Sequence, residues 1–435
     1  MDKGASVFDT RDFKISRRAY ALECAFEYFI ALLVADAFIA KLLKHLGASD
    51  ALCGVISSFG CLAFVFQIVN VFVAGKIRNT KKFAVPIHTC AQFLFSCLYL
   101  IPFLPFDDSV RRVVFVICIF LSYFGNYFVT AIVFKWGNSF VDPRKRGSFS
   151  SVKEMISLIS GMVVSLSLGY AIENLDKSGN VTYGFLLSAC CMLVFCVSDF
   201  ICLMTIRKEY VPQENEEEKP EPPKFRDVMK NTLGNRNFIK ITVLHCLWAA
   251  AVFFTTGFLG TYKQQELMYT MGQIQLINIS GVLVRFFISK PFGRFTDRHS
   301  YVRGIELAFI IAAVAFGCNM FASPTLQWFI IVYTVLYNIS GAGTAQNMLN
   351  ITYGYVDSRY FVQASAIKRC MSGLTGFLAS LLSGKLLAFV QENGNTLFGI
   401  HVYGQQVQSL VSLVIVIIAF VFSEVTLNRQ KVMLQ

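Results

Sequence analysis

Twelve stretches of this chain are long and apolar enough to cross a lipid bilayer, and that repetition limits its folds more than any other feature. The hydrocarbon core of a bilayer is about 30 Å thick, so a helix rising about 1.5 Å per residue needs roughly 20 apolar residues to span it. The segments lie near 17–42, 50–74, 83–103, 112–135, 151–173, 182–206, 238–262, 271–292, 303–322, 325–350, 360–389 and 405–426. Only 15% of the residues are charged and 55% are hydrophobic, more apolar surface than an aqueous core would bury. The expected class is therefore an all-α membrane protein with twelve transmembrane helices in two pseudo-symmetric six-helix bundles.

The charges that remain are distributed unevenly. With the N-terminus placed in the cytoplasm, 31 Lys and Arg fall on the inner side and 7 on the outer, and Arg285 lies within the eighth segment. The positive-inside rule then puts both termini in the cytoplasm, and a cell-membrane location is expected. The net charge of +12 thus reports topology, and no nucleic-acid partner is expected. The thirteen cysteines sit mostly inside apolar runs such as SACCMLVFC (188–196), where they read as small packing residues, and no metal-ligand spacing appears. No removable signal peptide is read at the N-terminus.

The longest polar interval, 207–237, is rich in Glu, Pro and Lys and reads as a solvated cytoplasmic linker. It divides the chain into an N-terminal six-helix half, 1–206, and a C-terminal half, 238–435. An internal repeat supports the division: 141–169 aligns without a gap on 356–384, with ten identities in 29 positions. These include Asp142 with Asp357, Arg144 with Arg359 and Lys153 with Lys368. Chance similarity between apolar helices supplies Ser, Gly and Leu matches more readily than V-D-x-R followed by a lysine nine positions later.

The segment GRFTDRHSYVR (293–303) joins the eighth and ninth segments on the basic side. Its G-x-x-x-D-R pattern resembles the signature loop of the major facilitator superfamily. The corresponding first-half loop, GKIRNTKKF (75–83), carries Asn79 where the signature has Asp. The resemblance implies a secondary transporter that alternates between inward-open and outward-open states, and it names no substrate. Gly293 is expected to allow a tight exit from the eighth helix, and Asp297 to meet helix N-terminal amides or Arg144 or Arg146 across the halves. Arg298, Arg359, Lys153 and Lys368 complete the expected gating set. Missing from the fifth segment is the Gly-Pro pattern of proton-coupled drug exporters, which lowers the case for drug efflux.

By the same resemblance the first, fourth, seventh and tenth helices line a central cavity, with the second, fifth, eighth and eleventh beside them. Polar residues at helical spacing there are the substrate candidates, because polar groups facing lipid are costly. The fourth segment offers Tyr123, Asn126, Tyr127 and Thr130, and the seventh offers His245, Trp248 and Thr255. The eighth carries Gln275, Asn278 and Arg285; the tenth carries Tyr333, Tyr337, Ser340, Thr344 and Asn347. In the first segment Glu23 and Glu27 share a face, and Glu27 is the candidate to carry a coupling proton; Asp36 is half a turn out of phase. Gln67 and Asn70 are weaker candidates. The pattern favours a small polar solute such as a sugar or related metabolite, with an organic anion held by Arg285 as the alternative. A coupling proton or sodium ion, no cofactor and a monomeric carrier are expected. A non-translocating receptor and a membrane enzyme rank lower, since no output module and no catalytic constellation can be read.

Overall fold

A computed structural model describes residues 10–66, 68, 77, 79–142, 146–207, 232–353, 356, 361–397 and 399–427. Its regular structure is helical apart from a two-stranded hairpin that pairs Thr396–Leu397 with Ile400–His401. The helices are α1 Arg11–Leu33, α2 Asp36–His45, α3 Asp50–Ser57, α4 Phe59–Ala63, α5 Thr80–Cys97, α6 Asp108–Ser139 and α7 Arg146–Lys177. They continue with α8 Val181–Thr205, α9 Arg236–Thr255, α10 Met271–Arg298, α11 Tyr301–Met320, α12 Trp328–Tyr353, α13 Phe361–Glu392 and α14 Gly404–Thr426.

Among the described residues ten helical stretches are long and apolar enough to cross a membrane. The other two expected spans take different forms. The first is broken at Val34 and Ala35, where Asp36 opens α2 with φ of 45°, a left-handed backbone that forces α1 and α2 apart. The second is described over Asp50–Phe66 as short α-helical pieces and a 3-10 turn.

Contacts divide the chain into two compact units. The first contains Met1–Gly47 and Val69–Pro222. In it α1 packs on α7 and α8, and α5 packs on α6 and α8, around a core that includes Tyr20, Val85, Val129, Trp136 and Leu203. Gly161 of α7 lets α1 approach, since a Cβ there would lie 2.5 Å from the Tyr28 ring.

The second unit contains Ala48–Ile68 and Pro223–Gln435. Residues 48–68, assigned from sequence to the first half, thus pack here: Cys61 Sγ donates to Gly373 O at 3.0 Å, and Gln391 Nε2 to Asp50 Oδ2 at 2.7 Å. Here α11 packs on α12 and α14, α9 packs on α13 and α14, and α10 packs on α12. The core includes Ile241, Tyr262, Phe309, Phe316 and Tyr333. Gly376, the repeat equivalent of Gly161, has the same steric duty: its Cβ would meet Cys61 Sγ at 2.6 Å and the Phe253 ring at 2.7 Å. Beyond Thr255, α9 gives way to a 3-10 turn at Thr256–Phe258 and a π turn at Tyr262–Glu266.

Large apolar side chains are exposed along helix faces, as at Val113, Ile117 and Leu121 of α6 or Val414, Ile418, Val421 and Val425 of α14. Spacings of three and four make each set one continuous stripe, which only a lipid solvent leaves unpenalised. All thirteen cysteines are free, in keeping with packing rather than cross-linking roles.

The segment from Gly293 corrects an expectation. Gly293 is not a helix exit: α10 runs through it to Arg298, and only His299 and Ser300 separate α10 from α11. Phe292 and Thr296 anchor this last stretch on its buried side, so one glycine does not end the helix. The turn is made instead by Ser300, whose hydroxyl accepts from Arg303 N at 3.1 Å and caps α11.

Candidate functional site

The second unit contains a cavity of about 430 Å³ between α9, α10, α12 and α13, closed in part by Cys61 and Phe64. Its volume falls in the range typical of small-ligand sites, roughly 300–1,000 Å³. α9 contributes His245 and Trp248, α10 contributes Arg285, and α12 contributes Tyr337, Asn338 and Thr344. From α13 come Ser365, Lys368, Arg369 and Ser372.

Several of these side chains are held in place by neighbours. Trp248 stacks on Phe309 at 5.4 Å, and Tyr337 stacks on Tyr333 at 5.5 Å. Asn338 Nδ2 donates to Thr334 O at 2.8 Å, leaving its carbonyl oxygen as an acceptor. Lys368 is 2% exposed, and its ammonium donates to Met348 O at 2.5 Å and Thr352 Oγ1 at 2.7 Å. Those partners are neutral. Three basic side chains, Arg285, Lys368 and Arg369, therefore share one cavity whose lining includes no carboxylate among the described residues. Such a site attracts negative charge, and two aromatic faces beside it suit a planar or ring-bearing body.

Six expected residues are thereby brought together: His245, Trp248, Arg285, Tyr337, Thr344 and, from the gating set, Lys368. Others lie elsewhere. Thr255 is fully buried, sharing a 2.6 Å hydrogen bond with Ser412 Oγ, which ties α9 to α14. Asn347 is buried and donates to Thr296 Oγ1 at 3.2 Å, joining α12 to α10. Tyr333 belongs to the core behind Tyr337, Gln275 is buried in α10, and Asn278 accepts from Lys263 Nζ at 3.2 Å. Helical periodicity had put each of these on the same face as a cavity residue, but a face several turns long meets different neighbours at different depths.

In the first unit Asn126 accepts from Gln92 Nε2 at 3.4 Å, Thr130 donates to Asn126 O at 2.7 Å, and Tyr127 packs on Tyr123. Glu27 is half-buried on α1. Of the gating set, Asp297 and Arg298 are exposed at the end of α10. Lys153 lies 4.8 Å from the centre of the Tyr20 ring and 5.6 Å from that of Phe134. Its surroundings thus differ from those of its repeat equivalent Lys368. Arg144 and Arg359, like Gln67 and Asn70, lie outside the described residues.

Sequence reasoning missed Arg369, Asn338, Ser365 and Ser372 in the cavity. Arg369 stands next to Lys368 in α13. Sequence reasoning also missed His88 of α5 and Asp199 of α8, which meet Glu23 of α1 inside the first unit. A lone His and a lone Asp within apolar spans were the available signal, since ionisable residues there are rare and functional by default.

The sequence matches the Major Facilitator Superfamily over residues 19–380. No curated protein matches it. Among solved structures, a mutant form of the nucleoside transporter NupG has a TM-score of 0.73 at 11% identity, covering 94% of this chain and 100% of that one. A bacterial homologue of the human lysosomal transporter Spinster, inward-facing and unoccupied, has a TM-score of 0.66 at 14% identity, covering 98% and 99%. An autoinhibited peptide transporter of the POT family has a TM-score of 0.63 at 14% identity, covering 96% of each chain. Identities this low bear on fold alone.

Proposed function

The chain belongs to the Major Facilitator Superfamily of multi-pass membrane transporters, and we propose that its cargo is a small organic anion carrying a ring or hydroxyl groups. The observation that carries this reading is the cavity of the second unit, where Arg285, Lys368 and Arg369 gather without a carboxylate. In a site walled by apolar groups, like charges repel more strongly than in water, so such a cavity is stabilised by an anionic occupant. Trp248 and Tyr337 would hold the body of the solute, and Asn338 and Thr344 its polar substituents. Transport would follow alternating access, with the two states differing in affinity for cargo.

The rest of the carrier scheme belongs to the same proposal. It comprises two six-helix halves joined by 207–237, both termini in the cytoplasm of a cell-membrane protein, and a monomer. Coupling to a proton or sodium ion, with Glu27 as carrier, is part of it. So are the latch of Asp297, Arg298, Arg144 and Arg359 and a place for Asn126, Tyr127 and Thr130 on the cargo path.

A neutral ring-bearing solute, such as a nucleoside or the sugar first favoured by the polar stripes, is the second reading. The aromatic pair and Asn338 support it, as does the likeness in fold to a nucleoside transporter.

The two are separated by a thermal-shift panel on the purified protein, since a ligand that binds the folded state raises its apparent stability. Organic acids, sugar phosphates and nucleoside monophosphates would be compared with the matching sugars and nucleosides. The expected result is stabilisation by members of the anionic set and at least a tenfold loss of apparent affinity in Arg285→Gln. Stabilisation by a neutral ligand that Arg285→Gln leaves unchanged would replace the anion reading with the second.

A further inference from the structure

The first unit holds a group of ionisable side chains to which neither cargo binding nor gating assigns a role. Glu23 on α1, His88 on α5 and Asp199 on α8 are 0%, 1% and 0% exposed. His88 Nε2 lies 3.1 Å from Asp199 Oδ2 and 3.8 Å from Glu23 Oε1. One donor atom from each residue falls within 4.8 Å of the other two.

Much of their hydrogen-bonding capacity is unspent. Glu23 Oε1, His88 Nδ1 and Asp199 Oδ1 have no hydrogen-bond partner, and Asp199 Oδ2 faces only His88 Nε2. Only Glu23 Oε2 accepts one, from Cys24 Sγ at 3.2 Å. Among the described residues no Lys or Arg forms an ion pair with either carboxylate. Lys153 of α7 is turned onto the rings of Tyr20 and Phe134.

With a neutral imidazole this trio carries two negative charges in a closed, apolar setting, and uncompensated buried charge is costly. A divalent cation supplies both missing charges and takes one donor atom from each of the three side chains. An imidazole with two carboxylates is a donor set for first-row divalent ions, whereas magnesium and calcium favour oxygen alone. Donor atoms about 2.0–2.2 Å from such an ion stand roughly 3.0–3.6 Å from one another. The His88 to Asp199 distance of 3.1 Å already meets that spacing, and Glu23 Oε1 at 3.8 Å from His88 Nε2 lies just beyond it.

We propose that Glu23, His88 and Asp199 form a buried site for a first-row divalent cation of the zinc or manganese class, which fastens α1, α5 and α8 to one another. The rival arrangement is an imidazolium between two carboxylates that share a further proton, neutral without any metal. The two differ in what they bind.

The test uses the full chain in detergent. Retained metal is measured by elemental analysis after gel filtration, and thermal stability is followed as a chelator-stripped sample is titrated with Zn²⁺, Mn²⁺ or Mg²⁺. Expected are near-stoichiometric uptake of zinc or manganese and a rise in Tm of several degrees that Mg²⁺ does not reproduce. His88→Ala and Asp199→Asn should lose both. A wild-type chain that neither retains metal nor gains stability overturns the site in favour of the protonated trio. Uptake that is unchanged in both variants shows an ion bound elsewhere and overturns it as well. If the variants fail to fold, zinc-edge X-ray absorption on the wild-type protein decides: one imidazole nitrogen with carboxylate oxygens supports the site, and a sulfur-rich or all-oxygen shell refutes it. Arg285→Gln probes the other unit, so failure here leaves the cargo proposal standing.

Discussion

Each unit of this protein places charge within its membrane-spanning helices, but the two do so in opposite ways. In the first unit one imidazole and two carboxylates are packed shut, and the group approaches neutrality through protons or a bound cation. In the second, three basic side chains border an open cavity of about 430 Å³ whose lining holds no acid among the described residues. Opposite charges held in a closed space make a fastener, whereas like charges around an open one make a receptor for something that has yet to arrive. The repeat-related lysines follow the same division. Lys153 rests on aromatic rings and Lys368 faces the cavity with only a carbonyl and a hydroxyl as partners.

The strongest way to break this contrast is to neutralise both lysines. Lys368→Met should weaken anion binding about 10- to 100-fold, because hydrogen bonds to charged groups are worth about 1.5–3 kcal/mol. Lys153→Met should change it less than threefold in the same equilibrium binding assay. Equal losses would return both lysines to a shared gating duty and end the distinction between the units. The repeat glycines sharpen the comparison from the other side, because there the units should behave alike. Gly161→Val and Gly376→Val each push a branched side chain into an aromatic neighbour, an overpacking that costs about 1–3 kcal/mol. Both should lower Tm by a few degrees, and a loss confined to one would show that the repeat does not extend to helix packing. The smallest effect is expected at Thr255→Val. Loss of the Ser412 contact should cost about 1 kcal/mol of stability and leave cargo affinity within twofold. A tenfold fall in affinity would put Thr255 back on the cavity wall.

The all-helical, multi-pass membrane class was legible in the sequence because lipid imposes a length and a composition on every span. Part of the cavity was legible too. Tyr337, Thr344 and Arg285 are polar at helical spacing inside apolar helices, and all three line it. Asn347 and Thr255 obey the same rule and are instead spent on helix contacts. Periodicity identifies the face of a helix and says nothing of what stands opposite it. The Glu23, His88 and Asp199 group shows the complementary limit. Its members are separated by 65 and 111 residues, so only the packing of α1, α5 and α8 reveals that they meet. The segment after Gly293 misled for a local reason: a glycine beside basic residues reads as a turn, but the anchoring of Phe292 and Thr296 carries the helix past it.

The cationic lining of the second unit also has an electrical consequence. Moving one elementary charge through a membrane potential of 100 mV takes about 2.3 kcal/mol. If the cargo is the proposed anion, an empty carrier turning its cavity from one face to the other would move the charge of these basic side chains through part of that field, while a loaded carrier would move less. Membrane voltage would therefore act mainly on the return of the unloaded protein, making cargo a counterweight as well as a passenger.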